Sequence, residues 1–283
     1  MKNNEKTYIG CHLSVTDGYE AMGRTIKRLG GNTFAFFTRN PRGGKTKPLN
    51  REDTDALLRY MEQQQFGPIV AHGSYTMNLC SSNEATRTNG LDMLAQDLER
   101  MEYLPGNYYN FHPGSHTGLG TEAGIRLIAD ALNRVLTPET QTTVLLETMA
   151  GKGSEIGSTF DELREIIDRV DYPEKLGVCL DTCHVWDAGY DLAGDPDGVL
   201  HLFDEVIGIS RLKAVHFNDS KNDCGSHKDR HAKLGQGAFG VETLKRIALH
   251  PLLKDLPFIL ETPNDHEGYR EEIRMVTGWR EDE

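Results

Sequence analysis

GVCLDTCH, residues 177–184, decides how this chain is read. Its first four residues are small or apolar, the run stops at the carboxylate Asp181, and an imidazole, His184, follows three residues later. Five further runs have the same form: GPIVAHG (67–73) reaches His72, YYNFHPG (108–114) His112, TTVLLET (142–148) Glu147, LKAVHFN (212–218) His216 and PFILET (257–262) Glu261. Short runs rich in Val, Ile, Leu and Phe between longer amphipathic stretches are what buried parallel strands look like. A parallel sheet brings all strand ends of one polarity to one face, so these polar termini converge although they are far apart in sequence. Such convergence argues for an enzyme.

Outward from these runs, TYIGCHLS (7–14) ending near His12 and NTFAFFTRN (32–40) delivering Arg39, Asn40 and Arg42 read as the first two strands. Helices are predicted between the strands at 19–29, 52–64, 85–103, 122–136, 160–170, 198–207, 241–249 and from 268 onward. In the third of these, Leu91, Leu94, Ala95, Leu98 and Met101 recur at helical spacing, a core-facing stripe with no functional meaning. Eight right-handed βα units close readily into a barrel. An open doubly wound sheet is the competing architecture, but it would gather its ligands at one switch point. The expectation is an α/β protein with one (β/α)8 TIM barrel over 1–283, its active site at the C-terminal ends of the strands; 283 residues suit that size.

No apolar h-region opens the chain and no stretch approaches the roughly 20 apolar residues of a membrane span, so a cytoplasmic protein without membrane contact is expected. The five cysteines, Cys11, Cys80, Cys179, Cys183 and Cys224, form no CxxC pair and are expected as free thiols. Cys179 and Cys183 flank Asp181, yet Cys179 sits in an apolar run where a small buried thiol is the ordinary occupant. A net charge of -12 argues at first sight against nucleic acid. Metal ions are missing from that sum, and three divalent cations among four carboxylates would leave a site net positive.

His72, His112, His184, His216 and His231 with Glu147, Asp181, Asp229 and Glu261 are five imidazoles and four carboxylates. The mixture suits zinc best and manganese or iron next. Nine donors are too many for one ion. Buried ion pairs are the bland alternative, against which stands Asp229-x-His231, whose side chains in an extended segment reach the same side. His201, His227, His250 and His266 are by default surface or core residues; His12 stands above them through its place at a strand end.

At this point the residues resemble a family. HGSYTMNL (72–79), NFHPGSH (110–116), LLETMAGKG (145–153), GVCLDTCHVWDAGYD (177–191), HFNDSKNDCGSHKDRHAKLGQG (216–237) and ILET (259–262) are similar, in order and spacing, to the motifs of the endonuclease IV apurinic/apyrimidinic endonucleases. The likeness runs over essentially the whole chain, and the block around Asp181 is its most specific part.

The resemblance implies a trinuclear zinc site: His72 and His112 on the first ion, Glu147 bridging to the second, Asp181, His216 and Glu261 completing the second, and His184, Asp229 and His231 on the third. It implies hydrolysis of the phosphodiester 5′ to abasic sites in duplex DNA, leaving a 3′-hydroxyl and a 5′-deoxyribose phosphate, with 3′-end trimming. Zinc lowers the pKa of bound water from about 15.7 to about 7, so no Ser, Cys or Lys nucleophile is required. A monomer is expected.

Arg42 and Tyr75 match the family's wedge positions, which fill the gap left by a missing base. Two departures stand out: Thr76 where an apolar wedge residue is usual, and Gly73 where an acidic residue is common. Restoring an apolar residue at 76 is expected to leave damage selectivity unchanged or to raise it. Asn40, Arg39, Lys45, Lys152, Lys221, Lys228, Arg230 and Lys233 are candidates for DNA contact, and Gly235, Gly237 and Gly240 either offer backbone N–H groups to a phosphate or form a bare turn.

The chief rival is a divalent-metal sugar isomerase or epimerase of the xylose-isomerase-like barrels, which Glu147, Asp181, His216 and Glu261 would serve. It leaves the other five donors unexplained. A non-catalytic metal-dependent DNA-binding module is a third reading, with no use for a bridging carboxylate.

Overall fold

Alternation along the strands builds the barrel. In the computed structural model, which describes residues 8–44, 46 and 48–281, the first seven strands are β1 (Tyr8–Leu13), β2 (Ala35–Phe37), β3 (Val70–His72), β4 (Tyr108–Phe111), β5 (Thr143–Glu147), β6 (Leu176–Asp181) and β7 (Leu212–His216). A small antiparallel ribbon, β8 (Asp219–Ser220) and β9 (His231–Ala232), precedes β10 (Pro257–Leu260). The barrel closes in the order β1-β10-β7-β6-β5-β4-β3-β2, and its paired strands are parallel.

Ala35, Val70, Leu145, Cys179, Ala214 and Ile259, one from each of six strands, pack together with Tyr108 as an apolar plug inside the barrel. Their neighbours Phe36, Ala71, Leu146, Leu180, Val215 and Leu260 face the other way, into the larger core beneath the helices. Strand period is two, so the residues two positions beyond the plug share its inward direction. Those residues are Phe37, His72, Glu147, Asp181, His216 and Glu261. The plug seals the floor of the site from below, as side-chain layers do in such barrels.

The helices are α1 (Tyr19–Leu29), α2 (Arg51–Gln64), α3 (Glu84–Met101), α4 (Thr121–Val135), α5 (Phe160–Asp168), α6 (Thr182–Asp187), α7 (Pro196–Val206), α8 (Gly240–Leu249) and α9 (His266–Glu281). The expected helices are present with ends shifted by a few residues. In α3, Leu94, Leu98 and Met101 are buried as the stripe requires, but so is Asp97, an acid on the apolar face. Two elements escaped the sequence. The six-residue α6 is too short to show a period, and the ribbon β8/β9 lies in a polar segment that reads as a loop. All five cysteines are free. Among the described residues, no helix is long and apolar enough to cross a membrane.

Candidate metal centre

The nine donors meet above the plug, and three groups account for all of them. His72, His112 and Glu147 form one, Glu147, Asp181, His216 and Glu261 the second, and His184, Asp229 and His231 the third, with the ligand atoms of each group within 4.8 Å of one another. Glu147 belongs to two of them through different oxygens. Its Oε2 lies 3.1 Å from His72 Nε2 and 3.4 Å from His112 Nε2, whereas Oε1 lies 3.1 Å from His216 Nδ1. Asn110 Nδ2 donates to Oε2 at 2.5 Å, which fixes the carboxylate plane. His216 Nδ1 is also 3.1 Å from Glu261 Oε2, and His184 Nε2 is 3.1 Å from Asp229 Oδ1.

The imidazoles are oriented for a cation. His72 Nδ1 lies 2.7 Å from the Gly73 carbonyl, His184 Nδ1 2.9 Å from the Thr148 carbonyl, and His231 Nδ1 3.2 Å from the Glu261 carbonyl. A carbonyl only accepts, so each Nδ1 is a donor and each Nε2 is left facing the basin as the atom available to a metal. His231 Nε2 is buried without a hydrogen-bond partner, 3.6 Å from both Asp181 Oδ2 and Asp229 Oδ1. An orphaned buried nitrogen between two carboxylates is a cost that a bound cation removes.

Charge reinforces the geometry. Burial would raise the Glu147 carboxyl, but His216 and His112 hold it well below the usual carboxylate range. Against the same desolvation, Asp181, Asp229 and Glu147 lift His184 well above its ordinary value, and Cys179, Glu261 and Glu147 do so for His216. Asp229 and Glu261 are lowered despite burial, chiefly by His184 and His216 respectively. Such a set exchanges protons for cations.

Supports that sequence reading missed hold the ligands. Asp181 ends β6 and caps α6: its Oδ1 accepts the His184 N–H at 2.8 Å, while Oδ2 accepts Asn218 Nδ2 at 2.8 Å. One residue thus sets both its own carboxylate and the turn that carries His184. Asp187, wholly buried, accepts from Ser220 Oγ at 2.7 Å and from the Asp229 N–H at 2.8 Å. That bond fixes Asp229 in a left-handed conformation at φ 53°, which Asp tolerates better than most residues. The signal was in the sequence, since Asp187 lies within the same specific block as Asp181 and His184.

The other candidates divide. Tyr75 is 59 % exposed and stands at the mouth, its ring 5.0 Å from Phe37, 5.9 Å from His72 and 5.8 Å from His112. Asn40, Arg42, Lys221, Lys228, Arg230 and Lys233 are exposed. Lys152 spans from Asp229 Oδ2, at 3.1 Å, to Glu155. Arg39 is a correction: it is buried, pairing with Asp97 Oδ1 at 2.7 Å, and Asp97 Oδ2 in turn accepts from Tyr109 Oη at 2.9 Å. The acid on the apolar face of α3 therefore has a structural partner, and Arg39 does not face a DNA backbone. Of the two readings of Gly235 and Gly237 the turn holds, because both donate their N–H to buried Asp219 at 3.0 Å and offer none to a phosphate. Gly73 has a packing reason, since a Cβ there would meet Met77 Cε and Tyr109 Oη at 2.9 Å. Lys45 lies outside the described residues.

His12 sits at the basin wall, 4.4 Å from the Phe37 ring, and burial pushes its imidazole down to about 4. His227 joins none of the donor groups; its Nδ1 binds the Ala150 carbonyl at 2.8 Å.

Comparison with known proteins identifies the family. Residues 24–279 match the model of the xylose isomerase-like TIM barrel family. A protein of Alkaliphilus oremlandii named Probable endonuclease 4 is 56 % identical over 268 residues, covering 95 % of each chain. One of the same name from Clostridium beijerinckii is 55 % identical, covering 95 % of this chain and 97 % of its own. The crystal structure of endonuclease IV from Thermus thermophilus superposes with a TM-score of 0.86 at 36 % identity, over 98 % of this chain and all of that one. A D-tagatose 3-epimerase-like protein shares the fold alone, at 18 % identity and a TM-score of 0.71. Closed barrel, donor basin and relatives lead to one statement: the chain belongs to the endonuclease IV family of xylose isomerase-like TIM barrels.

Proposed function

We propose that this protein is a zinc-dependent repair endonuclease that hydrolyses the phosphodiester 5′ to abasic sites in duplex DNA. It leaves 3′-hydroxyl and 5′-deoxyribose phosphate ends and trims blocked 3′ ends. The observation that carries the reading is Glu147, whose two oxygens face two different donor groups. Three zinc ions are assigned: one to His72, His112 and Glu147, one to Glu147, Asp181, His216 and Glu261, and one to His184, Asp229 and His231. Bound zinc supplies an acidified water and neutralises charge on a phosphoryl group.

The residues of the chain do the rest. Glu147, held by Asn110, sets the spacing of the first two donor groups. Tyr75 and Arg42 occupy the space of the missing base, with Tyr75 placed over His72 and His112 so that an extruded sugar phosphate reaches the basin beside it. Asn40, Lys228 and Arg230 contact the DNA backbone. The enzyme acts as a cytoplasmic monomer, its 283 residues one catalytic domain.

A duplex carrying one tetrahydrofuran abasic analogue tests the proposal, beside an undamaged duplex. The analogue cannot undergo β-elimination, so a cut means hydrolysis. Metal analysis separates the epimerase reading: about three zinc ions per active chain support the nuclease, and one Mn, Mg or Co ion sinks it.

A further inference from the structure

Two loops present Arg42 and Tyr75, one after β2 and one after β3. They are sewn together by main chain and hydroxyls. Tyr75 N–H donates to the Pro41 carbonyl at 3.0 Å. Ser74 Oγ, of a residue only 4 % exposed, donates to the same carbonyl at 3.0 Å. Thr76 Oγ1 lies 2.9 Å from Ser74 Oγ. The Ser74 proton is committed to Pro41, so the Thr76 hydroxyl is the donor in that contact. Ser74 Oγ also accepts the Thr76 N–H at 3.3 Å, so Thr76 backs from within its own loop the bond by which Ser74 reaches across to Pro41, the residue before Arg42.

The first loop is shaped to receive it. Gly43 N–H donates to the Asn40 carbonyl at 2.8 Å and Arg42 N–H to Asn40 Oδ1 at 2.9 Å, a tight turn closed twice by Asn40. Gly43 has φ 88°, and a Cβ there would lie 2.7 Å from Thr76 Oγ1. Thr76 is therefore packed against the turn and is not projecting as a wedge.

We propose that Thr76 is a positioning residue for damage recognition: its hydroxyl orients Ser74 Oγ toward the Pro41 carbonyl and its side chain packs on the Gly43 turn, which steadies the Arg42 and Tyr75 loops as one preformed unit. The inference rests on the functional reading above. It reverses the expectation for an apolar residue at 76, because leucine removes the hydroxyl that donates to Ser74 and presses a larger side chain against the Gly43 turn. Preformed loops spare the ordering cost of binding, so this support acts on recognition and not on the chemical step.

The test compares the full chain with Thr76→Val, which keeps the shape and removes the hydroxyl, with Thr76→Ser, which keeps the hydroxyl, and with Thr76→Leu. In DNA-free protein, amide exchange at Tyr75 should quicken several-fold in the valine variant and return to normal in the serine variant. On the tetrahydrofuran duplex, Thr76→Val should raise KM about fivefold, the equivalent of one neutral hydrogen bond of about 1 kcal/mol, with kcat changed by less than about twofold; serine restores KM. Normal exchange and KM in Thr76→Val, serine as impaired as valine, or higher abasic selectivity in Thr76→Leu would each overturn the proposal. If the wild-type chain fails to cut the analogue, the functional reading falls, and the exchange measurement still decides whether the hydroxyl steadies the bonds from Ser74 and Tyr75 to Pro41.

Discussion

The donor basin and the loops of Arg42 and Tyr75 lie side by side but are held by different physics. Six of the nine donors sit on or just beyond barrel strands, above a plug of packed apolar side chains, and their spacing is set by the hydrogen-bonded register of the sheet. The reading loops carry their two side chains in the open and owe their shape to a few main-chain and hydroxyl bonds. Removing a partner in the buried basin leaves charges unpaired, which costs far more than losing one bond at the surface. Damage to the basin should therefore abolish chemistry, and damage to the loops should blur discrimination.

The largest effect is expected at the shared carboxylate. Glu147→Gln keeps size but removes the charge between the two groups, so single-turnover incision should fall by orders of magnitude while abasic duplex is still bound, as measured by fluorescence anisotropy. Near-normal turnover would mean that the two groups do not act together. Next comes Asp187, which touches no substrate in this reading. Asp187→Ala frees the Asp229 N–H and should lower metal content and incision by roughly 10- to 100-fold, the scale of lost support behind a metal ligand. A fully loaded, fully active variant would show that Asp229 needs no such anchor.

On the other side of the comparison, Tyr75→Ala and Arg42→Ala should weaken binding to abasic duplex by about tenfold more than to undamaged duplex at fixed salt, since aromatic stacking is worth about 1 to 3 kcal/mol per base. Equal losses on both duplexes would reduce these residues to backbone contacts.

The smallest effect is thermal. In the metal-free chain His184 and His216 have folded values above the ordinary value, which for histidine is about 6.5. Their ion pairs thus contribute stability that is complete below about pH 6.5 and is lost as pH rises through the folded values. Metal binding has the opposite sign, because the ligands must first lose those protons. The gap in Tm between zinc-loaded and chelated protein should therefore widen from about pH 6 to pH 8. A gap that narrows over that range would show that these imidazoles are not ligands.

Much of the basin was legible because strand period two is a rule of short range. An apolar run ending in His72, Glu147 or His216 announces an inward-facing polar terminus before any contact is known. Arg39 was misread for the complementary reason. A basic residue at a strand end looks solvent-facing until Asp97, 58 residues away on α3, is found against it. Gly235 and Gly237 read equally as a phosphate cradle or a bare turn, and only the folded loop shows their N–H groups already taken by Asp219.

By itself the sequence determined the strand-and-helix alternation, the barrel, the nine donors and the family, since each follows from local pattern or from motif order along the chain. Only the tertiary structure decided which oxygen of Glu147 faces which imidazole, that Asp187 anchors Asp229, that Arg39 is buried, and that Thr76 packs against the Gly43 turn with its hydroxyl on Ser74. The physical reason is that a side chain's hydrogen-bond partners are chosen by distance and direction in space, and closing the barrel brings together atoms whose separation along the chain carries no record of the encounter.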